Sequence, residues 1–317
     1  MAEDKPSTAE FNRIIAKFDE LVDEVSKVLV GQQEVVKQVL VAVMCDGNAL
    51  LESYPGLGKT LMVKTLAQAM DMQFSRIQNT PDLMPSDITG TYIIEERGGK
   101  KEFKFREGPL FSNIVLADEI NRATPKTQAA LLEAMQEKQV TVGNETFTLD
   151  RPFFVLATQN PIDFEGTYPL PEAQIDRFLM KILLTYPTFK EEAEILERYT
   201  RILGAGKVKK VISKDELIKI QNMIRLVPIS TEKKDYILNI VTKTRGHKYI
   251  EYGASPRATI GLTLASKAYA LLNKRNYVSK KDVKDMAFPV LRHRLILNFK
   301  AEKEGKKADD IIAEIVG

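Results

Sequence analysis

At 317 residues and 35.8 kDa the chain has the length of about two domains, enough to bury a sizeable core. Hydrophobic residues at 44% and charged residues at 28% exclude collagen-like, low-complexity and wholly disordered chains, and a single cysteine, Cys45, excludes an internal disulfide framework. The net charge of +3 hides an asymmetry: residues 1–189 carry 19 basic against 27 acidic side chains, and residues 190–317 carry 27 against 16.

The opening Met1-Ala2-Glu3-Asp4-Lys5-Pro6 is charged and leads into no apolar core, so no signal peptide is expected. The longest apolar run near the front, 39–45, is far too short to span a bilayer. A cytoplasmic protein without membrane insertion is the expectation. His247 and His293 stand far apart without cysteine companions, which argues against a zinc site.

From residue 48 to about 185, short apolar runs at 48–51, 74–77, 114–117, 153–157 and 180–184 alternate with helical stretches such as 59–70 and 127–137. Most runs are continuous, as strands buried on both faces are, and the pattern predicts a doubly wound parallel sheet. Two insertions read as β-hairpins: 92–94 and 103–105 flank Gly98-Gly99, and 140–142 and 146–148 flank Gly143-Asn144. After Tyr186-Pro187 the composition turns to helix formers at 190–203, 214–224, 230–244, 255–274 and 280–299, predicting a small all-helical domain with a Gly204-Ala205-Gly206 loop.

Ser53-Tyr54-Pro55-Gly56-Leu57-Gly58-Lys59-Thr60 follows the first strand and opens a helix. Glycines let backbone N–H groups wrap phosphates, the helix N-terminus adds its dipole, Lys59 reaches the β- and γ-phosphates, and Thr60 ligates Mg²⁺. Pro55, Gly56, Leu57, Gly58, Lys59, Thr60 and Leu61 are the expected nucleotide contacts. The run 114–117 ends in Asp118-Glu119, where Asp118 is expected in the Mg²⁺ shell and Glu119 facing an attacking water. Asn160, after the strand at 153–157, is expected to orient that water, although an Asn before a Pro is more often a turn residue.

With these residues placed, the chain resembles the AAA+ ATPases, and specifically the MoxR family. The resemblance runs from Val30-Gly31-Gln32 to Arg257 and beyond, through Asp118-Glu119-Ile120-Asn121-Arg122-Ala123, the segment 126–137, the segment 166–178 ending in Asp176-Arg177-Phe178, and Ala254-Ser255-Pro256-Arg257-Ala258. It implies an AAA+ core with a five-stranded parallel sheet and two hairpin insertions, followed by an all-α lid: an N-terminal helix in 1–29, the core in 30–187 and the lid in 188–317. Val30, Gly31 and Gln32 would lie against adenine, Lys59 and Thr60 would form Walker A, Asp118 and Glu119 Walker B, and Asn160 sensor 1. Arg257 would be sensor 2, closing the lid over the γ-phosphate, and Arg177 an arginine finger for a neighbour's nucleotide. Two departures from the pattern are Ser53, where a glycine is usual, and Asn79, which stands on a surface where such proteins often carry Phe.

The implied function is Mg²⁺-dependent ATP hydrolysis by a homo-oligomeric ring, taken as a hexamer. Hydrolysis would be coupled to remodelling or maturation of partner proteins, often ones with von Willebrand factor A domains. Two alternatives stay open: a nucleic-acid motor, suggested by the basic C-terminal block but unsupported by any separate nucleic-acid-binding motif, and a nucleotide-gated scaffold with little turnover, against which Glu119 argues.

Overall fold

The computed structural model describes residues 8–97, 100–162, 166–200 and 207–317. The helix α1 (Thr8–Ser26) turns Phe11, Ile14, Phe18, Leu21 and Val25 inward, a spacing of three and four residues that makes one apolar stripe. After α2 (Gln33–Met44) come β1 (Ala49–Ser53), α3 (Lys59–Ala69), β2 (Phe74–Gln78) and α4 (Pro85–Thr89). The hairpin β3 (Gly90–Arg97)–β4 (Lys100–Glu107) leads to β5 (Ile114–Asp118) and α5 (Pro125–Glu137), and the hairpin β6 (Gln139–Val142)–β7 (Glu145–Thr148) leads to β8 (Phe154–Gln159), α6 (Glu172–Ile175) and β9 (Met180–Leu184).

Five strands form a parallel sheet in the order β2-β5-β8-β1-β9. The inner strand β5 is buried along its length, whereas the edge strands β2 and β9 expose part of theirs, so the continuous burial the sequence suggested belongs to the inner strands. Alternate residues feed two cores. Leu51, Leu116 and Leu156 join the cluster under α1, α2, α3 and the C-terminal helices; Leu50, Val115 and Val155 join the cluster under α5. One apolar cluster therefore runs from Phe11 to Val316, welding the N-terminal helix and the C-terminal helices to one face of the sheet.

Both hairpins form at the expected places, and the Gly98-Gly99 turn lies outside the described residues. The two hairpins hold each other: Phe105 stacks on Phe147 at 4.2 Å, and the Tyr92 hydroxyl donates to Glu145 at 2.6 Å.

The C-terminal region is helical, with α7 (Phe189–Tyr199), α8 (Lys214–Leu226), α9 (Thr231–Lys243), α10 (Pro256–Leu272), α11 (Lys280–Leu291), α12 (Phe299–Lys303) and α13 (Ala308–Val316). Thr188, Ser213 and Ser279 each begin a helix with a reciprocal capping box to Glu191, Glu216 and Asp282. The end of the helix expected at 190–203 and the 204–206 loop fall outside the described residues. The helix expected over 280–299 is broken: α11 stops at Leu291, and a short ribbon pairs β10 (Ile250–Tyr252) with β11 (Ile296–Leu297). Asn298 then caps α12 by accepting from the Ala301 N–H at 3.1 Å. The break turns Arg292, His293 and Arg294 toward Asp309, Phe178 and Asp176, contacts a continuous helix would not direct to three different places.

Candidate active site

The parallel register brings the carboxyl ends of β1, β2, β5 and β8 to one rim, where α/β sheets bind ligands. Gly56 and Gly58 take φ of 82° and 77°, and space around Gly56 is open, so left-handed backbone rather than crowding is what calls for glycine there. Ser53 has no such φ; it is buried, and its hydroxyl donates to the Tyr54 carbonyl at 3.0 Å. The departure from glycine at that position therefore introduces no backbone strain. Gly58 caps α3, leaving the helix N-terminus with Lys59 and Thr60 facing a cavity of about 400 Å³.

That cavity is lined by Pro55, Gly56, Leu57, Gly58, Lys59, Thr60 and Leu61 on one side and by Arg76, Gln78, Asp118 and Glu119 on the other. Asp118 is buried, and the Thr158 hydroxyl donates to its Oδ1 at 3.1 Å while Arg76 Nε donates to its Oδ2 at 2.7 Å. The same Thr158 oxygen accepts the Glu119 N–H at 2.9 Å, so one fully buried hydroxyl orients both acidic residues. Glu119 takes φ 54°, and its Oε2 accepts from Arg122 at 3.0 Å and from Gln78 at 3.4 Å. Asn79, expected on a surface, is buried instead and donates from Nδ2 to the Asp118 carbonyl at 2.6 Å, a polar peg beneath the acidic pair.

A second cavity of about 710 Å³ lies beside the first, lined by Gly31, Gln32, Gln38, Leu184, Tyr186 and Glu191 among others. Val30 is buried and does not line it. Gln32 donates to the Leu57 carbonyl at 3.2 Å, tying this cavity to the glycine-rich loop, and Tyr186 stacks on Tyr54 at 5.1 Å. Gly31 combines φ 68° with a close approach: a Cβ there would sit 2.3 Å from Glu191 Oε1. Glu191 is held by the Thr188 N–H and hydroxyl, which pull its carboxyl below the usual range.

The donor set fits a magnesium nucleotide. A hydroxyl and a carboxylate, Thr60 and Asp118, face one cavity without sulfur or imidazole, as a hard cation requires. Among the described residues Lys59 pairs with no carboxylate, leaving its charge for phosphate, and Gln32 Oε1 is a buried acceptor without a partner, suited to an amino group on a base.

Three expected residues lie elsewhere. Asn160 follows β8 directly, but its Oδ1 accepts from the Ile162 N–H at 3.2 Å in a local turn, and it does not line the cradle cavity. Arg177 and Arg257 line a pocket of about 60 Å³ with Met135 and Gln136, which no cradle residue shares. The expected closure of Arg257 over the γ-phosphate is thus not what its position shows: Asp176 holds it at 3.2 Å, beside Arg177. Arg76, Gln78, Thr158, Asp176 and Arg294 were not among the sequence-predicted site residues. The one local sign for Arg294 is the run Arg292-His293-Arg294 set between apolar residues on both sides.

The sequence model of the ATPase family associated with various cellular activities (AAA) matches residues 48–180, and that of the AAA lid domain matches residues 242–315. The chain is 46% identical to the uncharacterized protein YeaC of Bacillus subtilis, over 93% of this chain and 92% of that protein. It is 43% identical to the chaperone MoxR1 of Mycobacterium tuberculosis, over 94% of this chain and 79% of that protein. A crystal structure of a candidate ATPase from Cytophaga hutchinsonii superposes with a TM-score of 0.91 at 47% identity, covering 97% of this chain and 96% of that one.

Proposed function

The chain belongs to the MoxR family of AAA ATPases, and on that premise we propose that it hydrolyses ATP with Mg²⁺ as a ring of identical subunits, coupling turnover to remodelling of partner proteins. The observation that carries the catalytic part is the shared cavity: the phosphate cradle and both acidic residues face one space. Backbone N–H groups of the 55–61 loop and the Lys59 ammonium bind the β- and γ-phosphates. Thr60 and Asp118 would hold Mg²⁺, which would supply positive charge against the phosphate oxygens. Glu119 accepts the proton of the attacking water; Asn160, held in a local turn outside the cavity, would orient that water only after its Oδ1 leaves the Ile162 N–H. Gly31 and Gln32 shape the base cavity, and Val30 is buried next to them.

The arginines support the ring reading. Arg177 and Arg257 sit together away from their own cradle, so on this reading they serve the nucleotide of an adjacent subunit. Residues 30–187 act as the core, 188–317 as the lid and 1–29 as an N-terminal region whose helix α1 packs on both. Among the described residues no helix is long and apolar enough to cross a membrane, and we place the protein in the cytoplasm with protein clients, including ones carrying von Willebrand factor A domains. Phosphate release measured with Mg²⁺, with a chelator, and for Lys59→Ala tests the reading. Turnover that survives both the chelator and the substitution would remove the cradle from the chemistry.

A further inference from the structure

Arg294 lies just beyond α11, 118 residues from Asp176, and its side chain is 2% exposed. All five of its N–H groups are used. Nε donates to Asp176 Oδ1 at 2.7 Å, Nη2 to the carbonyls of Asp176 at 3.2 Å and Phe178 at 2.7 Å, and Nη1 to the carbonyls of Leu179 at 3.0 Å and Val290. Burial pushes the guanidinium pKa down, and the Asp176 carboxylate opposes that shift. Arg177 is therefore bracketed: the carbonyl of Asp176 before it and those of Phe178 and Leu179 after it are gripped by one planar fork, and the Phe178 ring is fully buried.

The Asp176 carboxylate carries the grip onward. It accepts from the Ser255 hydroxyl at 3.1 Å and from Arg257 Nη1 at 3.2 Å. Ser255 stands at the N-cap of α10 but makes no side-chain cap bond to its own helix; its hydroxyl is diverted to Asp176. A carboxylate at the start of α10 is also favoured by the helix dipole. One buried guanidinium thus sets the backbone that bears Arg177 and, through Asp176, the start of the helix that bears Arg257.

We propose that Arg294 is a positioning residue for hydrolysis, which through Asp176 holds Arg177 and Arg257 as one preset pair of cations aimed at the nucleotide of the neighbouring subunit. The proposal rests on the neighbour-site reading given above for its target, but the positioning stands on this chain's own hydrogen bonds. Arg294→Lys keeps the charge opposite Asp176 and loses the fork that grips the carbonyls of Asp176, Phe178 and Leu179. Arg294→Gln removes the charge as well.

Hydrolysis and ATP affinity of the full chain are measured for both variants, alone and mixed with Lys59→Ala under verified subunit exchange, with Arg177→Ala mixed with Lys59→Ala as the control. A displacement on the order of 1 Å of a catalytic cation costs ~10²-fold, so kcat should fall by that order for Arg294→Lys while ATP affinity stays within about twofold, and more steeply for Arg294→Gln. Mixing either variant with Lys59→Ala should restore hydrolysis, because the cradle of one and the arginines of the other are intact. An unchanged kcat, or a loss of ATP affinity as large as the loss of kcat in Arg294→Lys, would overturn the proposal and leave Arg294 a structural fastener. Recovery in the control mixture but not with Arg294→Lys would overturn it equally. Should the control mixture itself fail while the split between kcat and affinity holds, the neighbour-site reading falls and the positioning role remains.

Discussion

Arg76 and Asp118 meet across adjacent parallel strands, with Nε 2.7 Å from Oδ2, inside the cavity that also holds Lys59 and Thr60. The carboxylate is buried and the guanidinium is half exposed, so the arginine occupies the oxygen of Asp118 that the Thr158 hydroxyl leaves available. A cation bound at Asp118 shares that carboxylate with Arg76. Removing one positive charge at ~4 Å in a water-accessible cavity is worth about 1 kcal/mol. Arg76→Gln should therefore lower the Mg²⁺ concentration for half-maximal hydrolysis about fivefold. A Mg²⁺ titration of phosphate release checks this, and an unchanged or raised midpoint would separate Arg76 from cation binding.

Glu119→Gln retains the backbone bond from the Glu119 N–H to Thr158 and a side-chain oxygen for Arg122 and Gln78. It loses only the negative charge that takes up a proton. ATP affinity by calorimetry should match the parent, and hydrolysis should slow by at least ~10²-fold, the size typical of a removed general base. Parental turnover in this variant would show that the water is activated elsewhere.

Thr158→Val removes a hydroxyl that serves two groups at once. It leaves Asp118 Oδ1 without its donor and the Glu119 N–H without its acceptor, at a position with no solvent exposure. Leaving a buried polar group unsatisfied costs about 1–3 kcal/mol, so the unfolding midpoint should fall, and hydrolysis should fall with it because both carboxylates lose their orientation. Denaturant melts and kinetics on one preparation test the pair. Loss of stability with full activity would mean that the acidic pair is oriented by other contacts.

His293 Nε2 sits 3.0 Å from the Phe178 carbonyl, which calls for the tautomer with hydrogen on Nε2, and Nδ1 has no partner among the described residues. Desolvation, with the nearby charge of Arg294, pushes its pKa well below the ordinary 6.5. Because the unfolded chain takes up this proton first, stability is complete above the unfolded pKa and declines as pH falls below it. The slope contributed is at most one proton, ~1.4 kcal/mol per pH unit. His293→Gln should flatten the loss of stability between about pH 6.5 and pH 5 by up to that amount. Denaturant melts at three pH values across the window check it; parallel slopes in parent and variant would assign the acid sensitivity to other groups.

Where a feature depends on neighbours along the chain, it was legible from sequence. The apolar runs marked the strands because a strand's burial is set residue by residue. The glycine-rich loop was readable because left-handed backbone at Gly56 and Gly58 is a local demand on residue type. The Thr188, Ser213 and Ser279 capping boxes are likewise three-residue relationships. Other features depended on which strands become neighbours. Arg76, on the edge strand β2, reaches Asp118 only because β2 pairs in register with β5, and Thr158 reaches both acidic residues only because β8 lies on the other side. Nothing near Asp176 announces Arg294, and nothing near Arg257 says that it turns toward Asp176 rather than toward the phosphate cradle. The chemistry of the cradle is short-range and was written in a single segment. The placement of the arginines is a long-range consequence of burying one fully hydrogen-bonded guanidinium between two parts of the chain, and only the folded packing decides that.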